Sequence, residues 1–201
     1  PFLNIFSTFV DTKNHEIIEC ALHVLVNVTF PNSLKYNSTI LNDIANKIID
    51  YLIDLEKSFD EEIIVCAARA LNNIVVIIDS FEYIEDEFDC DRFLCLIYQC
   101  LKNGSFKVRK EVLFFFMTLA EVWISNPLIF EAIKENMSEI ISIAEFTPNV
   151  KLNLHILSSL KRIFEYDEKN TDEVLLEQFK SINGFEMTYA FEQDKSNPEL
   201  A

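Results

Sequence analysis

Asn27 and Asn73 occupy equivalent places in two similar stretches of this chain, and a side-chain amide repeated in that way has a definite use. An amide both donates and accepts, so a row of amides holds the backbone of an extended peptide without demanding particular side chains. His23 and Arg69 stand one helical turn earlier, on the same stripe. The other reactive side chains do not form a set. His15, His23 and His155 are scattered, lack a partnering cysteine or carboxylate cluster, and read as ordinary surface or core residues without a metal. The five cysteines are Cys20, Cys66, Cys90, Cys95 and Cys100, an odd number with no CxxC pair. The last three are five residues apart, which does not bring them to one helical face. Cys20 and Cys66 lie in apolar helical stretches and are expected to act as small hydrophobes of a reduced, intracellular chain. The sequons at Asn27, Asn37 and Asn136 are then coincidental. There is no phosphate loop, nucleophile elbow, HExxH or framed carboxylate pair, so neither an enzyme nor a cofactor is expected.

The elements that position these residues follow from composition. Half of the 201 residues are hydrophobic, but only two are glycine and five proline. Sheet-rich folds need more residues that tolerate positive φ in tight turns. An all-α fold with short polar loops is expected. With 17 basic and 33 acidic residues the net charge is −16, which repels nucleic acid and anionic membrane and attracts basic partners. The longest apolar run, Ile63 to Ile78, carries Arg69, Asn72 and Asn73, so it is not read as a membrane span. The chain opens at Pro1-Phe2 without a methionine and is expected to be a segment of something longer.

A repeat organises the helices. Ile17–Val28 aligns with Ile63–Ile74, and weaker copies run over Val108–Leu119 and Leu152–Ile163. The starts lie about 45 residues apart, within the period of HEAT and armadillo arrays. A polar break (Asp11–Asn14, Ser58–Glu62, Lys102–Phe106, Thr147–Asn149) and another apolar helix (Phe2–Val10, Ile40–Lys57, Asp91–Leu101, Leu128–Glu145) precede each copy. Asp60 and Ser105 are candidate N-caps. Ser80–Asp91 leaves room for a short additional helix; three helices per repeat make an armadillo unit, two a HEAT unit. Ala21, Leu25 and Val28, with Ala67, Leu71 and Ile74, should pack inward. The expected architecture is an armadillo-repeat right-handed α-solenoid of about four repeats (1–30, 31–79, 80–124, 125–167) and a C-terminal helical cap, 168–201.

Ala67-Ala68-Arg69-Ala70-Leu71-Asn72-Asn73-Ile74-Val75 resembles an importin-α repeat in which arginine replaces the usual tryptophan. Lys107–Val112 is similar to that family's "IRKEA" helix start. Leu160–Glu165 resembles its "LENIL" helix, and Leu176–Glu186 its closing segment. The resemblance implies a nuclear-import adaptor, found in cytoplasm and nucleus, that binds lysine-rich signals on a tryptophan–asparagine ladder. Its further partners would be importin-β and the recycling export receptor. Carried over, the asparagine places hold Asn27, Asn73, Thr118 and Arg162, and the tryptophan places hold His23, Arg69, Phe114 and Ser158. Glu111 matches the acidic residue, and Phe114 would cover a lysine stem more weakly than tryptophan does. Trp123 falls outside the ladder.

A second reading stands beside this one, in which Asn27 and Asn73 tie adjacent helices together. The chain would then be an armadillo or HEAT scaffold that organises a complex without binding localisation signals. The acidic run from Glu82 to Asp91 reads as a solvated loop. Phe2, Leu3, Ile5, Phe6 and Phe9 are expected to form a sticky first helix.

Overall fold

The computed structural model describes residues 2–29, 38–54, 60–78, 90–147, 149–171 and 173–193. Every regular element among them is an α-helix: α1 (Phe2–Asp11), α2 (His15–Val28), α3 (Ser38–Asp54), α4 (Glu61–Ile77), α5 (Cys90–Asn103), α6 (Phe106–Trp123), α7 (Pro127–Phe146), α8 (Val150–Asn170), α9 (Val174–Ser181) and α10 (Gly184–Gln193). Among the described residues these follow the expected helices and breaks to within a few residues, and each aligned copy falls on α2, α4, α6 or α8. Residues 55–59 and 148, which the expected helix Ile40–Lys57 and two of the breaks include, lie outside the described residues. Ser80–Asp89 and the acidic side chains there lie outside the described residues, as does Asn37.

Short polar side chains start the helices. Asn14, Asp60, Asn126 and Asn149 each accept from a backbone N–H of the first turn of α2, α4, α7 and α8 respectively. Those N–H groups have no partner within their own helix. Pro127 begins α7, where its missing N–H costs nothing. Ser105, the other expected cap, accepts from Val108 N at 3.5 Å, and its hydroxyl donates to Glu61 Oε2 at 2.8 Å.

The chain divides into two compact units, Pro1–Phe115 and Phe116–Ala201, with the boundary inside α6. In the first unit α4 is the central element. It buries Ile63 through Ala68, Ala70, Leu71, Ile74 and Val75, and leaves only Glu61, Glu62, Arg69 and Val76 exposed. A helix apolar on almost every side must be surrounded. It packs on α2 and α3, while α1 packs on α2 and α3. Of the expected sticky residues, Phe6 is fully buried, Phe9 is partly so and Ile5 faces solvent, while the side chains of Phe2 and Leu3 are not among those described. Ala21, Leu25, Ala67, Leu71 and Ile74 are buried as expected, whereas Val28 is only half-buried.

In the second unit α7 packs on α8, α9 and α10, and α9 packs on α8 and α10. Ile129, Ile133, Met137 and Ile140 of α7, Ile156 and Ile163 of α8, and Leu175 and Phe179 of α9 are almost fully buried. Asn136 is also buried and gives its amide N–H to Ala132 O, so the sequon there cannot present its side chain.

Candidate functional site: the row of aligned helices

In the first unit the aligned copies lie side by side and parallel, because contacting residue numbers rise together. Cys66 of α4 meets His23 of α2, and Asn73 meets Val26 and Thr29. Glu61, Glu62 and Arg69 of α4 likewise meet Ser105, Lys107 and Glu111 of α6. Asn27, Asn73, His23, Arg69, Glu111 and Phe114 belong to this row, and Asn73, His23, Arg69 and Glu111 turn sideways onto the neighbouring helix.

Asn73 is half-buried rather than exposed. Its Nδ2 donates to Val26 O at 3.1 Å and to Thr29 Oγ1 at 3.4 Å. Thr29 is fully buried, and its own hydroxyl donates to Leu25 O at 2.7 Å. The amide therefore satisfies a carbonyl near the end of α2, where the helix leaves acceptors unpaired. Asn27 is exposed on α2.

Arg69 forms a two-pronged bond to Glu111, Nε to Oε2 at 3.0 Å and Nη2 to Oε1 at 2.8 Å. The planar guanidinium fork fits the carboxylate, which is stronger than a single bond. Burial opposes ionisation of Glu111, but the hydrogen bond and charge of Arg69, with help from Lys110, hold its carboxyl below the usual value. Glu111 thus already has two cations beside it and is a poor seat for a third.

His23 is exposed, yet it has the partners that its spacing did not reveal. Cys66 Sγ lies 3.4 Å from Nε2 and 3.7 Å from Nδ1, and Glu19 Oε1 is 3.8 Å from Nε2. Burial pushes the Cys66 thiol up, so the sulfur keeps its proton at neutral pH and is not an activated nucleophile. Of the two cysteines in aligned places, Cys66 is buried and Cys20 is exposed.

Thr118, in the second unit, is buried, and its hydroxyl lies 3.0 Å from His155 Nε2 on α8. It is not presented as a ladder residue. Arg162 pairs with Glu121 at 3.0 Å, and Ser159 donates to the same carboxylate at 2.5 Å. Phe114 is half-buried, while Phe115 and Phe116 are core. Trp123 is half-buried.

No group of three or more His, Cys, Asp or Glu capable of holding a metal occurs among the described residues. No described helix is long and apolar enough to cross a membrane.

No protein-family model matches the chain. No curated protein matches it either. Among solved structures, the crystal structure of an engineered protein from the Northeast Structural Genomics Consortium superposes with a TM-score of 0.61. The two are 16% identical, and the match covers 97% of this chain and 73% of that one. At that identity the likeness is one of helical fold alone.

Proposed function

We propose that this chain is a non-enzymatic scaffold, a segment of an armadillo-type α-solenoid that organises partner proteins without reading lysine-rich signals on an asparagine ladder. The observation that carries the proposal is the sideways commitment of the would-be ladder. Asn73 spends its amide hydrogens on α2, and Arg69 and Glu111 spend their charges on each other. A ladder amide must donate to the peptide carbonyl as well as accept from its N–H, and Asn73 keeps at most the second ability. Arg69 also adds a positive charge where a lysine stem would lie.

A calorimetric titration with a lysine-rich peptide tests this. The expected result is no saturable heat at physiological salt, and an Asn73→Ala variant that loses about 1 kcal/mol of stability by giving up its bonds to α2. Saturable binding that Asn73→Ala abolishes would sink the proposal.

One observation favours the second reading, a nuclear-import adaptor of the importin-α kind working in cytoplasm and nucleus with importin-β and an export receptor. The chain carries −16, and His23 and Asn27 are exposed on α2 beside Glu19, a surface that suits a basic segment. Under that reading the peptide binds, its affinity falls as salt rises, and Asn27→Ala weakens it.

A further inference from the structure

The second unit holds a groove of about 450 Å³ between α8, α9 and α10. Leu157, Leu160 and Phe164 of α8 supply one wall, and Leu176, Phe179 and Phe185 supply the other. The rings are in contact, with Phe164 and Phe179 centroids 5.1 Å apart and Phe179 and Phe185 5.3 Å apart edge to face; Phe179 is buried, so Phe164 and Phe185 are the rings left accessible. Phe185 is 49% exposed, a large apolar side chain left open to solvent. The charged groups on the lining are Glu165, Glu168 and Glu173 against Lys161 alone.

We propose that this groove is a docking site for a basic amphipathic helix of a partner protein. Charge complementarity selects the sign: three carboxylates and one ammonium border the apolar floor, on a chain that already carries −16. The lining selects the conformation. An extended peptide needs partners for its backbone N–H and C=O groups, and apart from charged groups this lining offers one hydroxyl, Thr188. A helix satisfies its own backbone and brings only side chains to the groove. On α8 the apolar wall runs 157, 160, 164, a spacing of three and four that suits anchors at i, i+3 or i+4, and i+7 on the incoming helix. Lysine or arginine flanking those anchors would lie over the carboxylates. The proposal stands apart from the α2, α4 and α6 row and holds whether or not that row takes a peptide.

Fluorescence anisotropy with a labelled amphipathic peptide, Leu and Phe on one face and Lys at the flanks, tests it. Controls are a scrambled peptide of the same composition and one with Glu in place of Lys. Saturable binding of the first peptide alone is expected. Phe185→Ala should weaken it roughly tenfold, as loss of an aromatic anchor does. The double variant Glu165→Lys, Glu168→Lys should weaken it by a similar factor at low salt and flatten its salt dependence. All three positions are exposed, and unchanged circular dichroism verifies that the variants fold. Equal binding of scrambled and amphipathic peptides, or affinity untouched by both variants, overturns the proposal. So does concentration-dependent dimerisation that Phe185→Ala removes in a protein that binds no peptide, since the occupant would then be a second copy.

Discussion

Asp167 is fully buried near the end of α8, and its carboxylate organises the start of α9. Its Oδ2 accepts from Leu175 N at 2.8 Å and Leu176 N at 3.0 Å, and Oδ1 accepts from the Thr171 hydroxyl. Glu173, at the cap position of α9, is left-handed with φ 62° and makes no capping bond of its own. Asp167→Ala would therefore leave two first-turn donors without a partner. An unsatisfied buried donor costs about 1–3 kcal/mol, and losing a negative charge at a helix N-terminus costs about 0.5 kcal/mol more. Because neighbouring losses are not additive, the expected cost is about 3 kcal/mol. Asp167→Asn keeps an oxygen for the two N–H groups but loses the charge, so about 1–2 kcal/mol is expected. Because the chain divides into two compact units, a single urea curve does not suffice. Hydrogen exchange of the α9 amides beside urea denaturation locates the damage, with faster exchange expected across 174–181. Asp167→Ala within 0.5 kcal/mol of the parent, or no change in α9 exchange, would refute the capping role. An Asp167→Asn variant as stable as the parent would show that the charge is irrelevant.

Three other outcomes are expected. Glu111→Gln lowers stability at pH 7 by about 1 kcal/mol or less, since Arg69 is about half exposed. Because the folded carboxyl titrates below its ordinary value of 4.5, that difference is present above this pH. It closes as pH falls through the folded value, which denaturation curves at several pH values would follow. Gly184→Ala puts a methyl 2.4 Å from the buried Phe179 ring, for a cost of about 1–3 kcal/mol by thermal or urea melting. In a Cys90→Ser background, Cys20 and Cys95 react quickly with a thiol reagent at pH 8. Cys66 and Cys100 react only on unfolding, since both are buried and burial pushes Cys100 up to about 11.

The helices were legible because their signals are local. Asp60 stands two and three residues from the N–H groups that it accepts from, so the cap is read from spacing alone. The cap of α9 was not legible, because its carboxylate comes from eight residues upstream, across a turn. Periodicity put Arg69 and Asn73 on one stripe but could not say which way that stripe's side chains turn. An asparagine aimed at solvent and one aimed at the next helix have the same sequence signature. The Arg69–Glu111 pair spans 42 residues, and only packing of α4 against α6 joins it. Cys20 and Cys66 align, yet only Cys66 has His23 of a preceding copy over it; among the described residues Cys20 has no such neighbour.

Two of the pairs along the row occupy the same seat. His23 on Cys66 and Arg69 on Glu111 each join the seventh position of one aligned copy to the fourth of the next. The chemistry differs at the two seams: an imidazole meets a thiol at one, a guanidinium meets a carboxylate at the other. Copies of similar shape are at risk of docking out of order while the chain folds, with one of them skipped. Such a slip between α2 and α6 would set His23 against Glu111 and leave the Arg69 fork without its carboxylate. Unlike chemistry in one seat sets the correct order apart from such a slip, which forfeits the Arg69–Glu111 fork, where identical seams would leave the choice to chain connectivity alone.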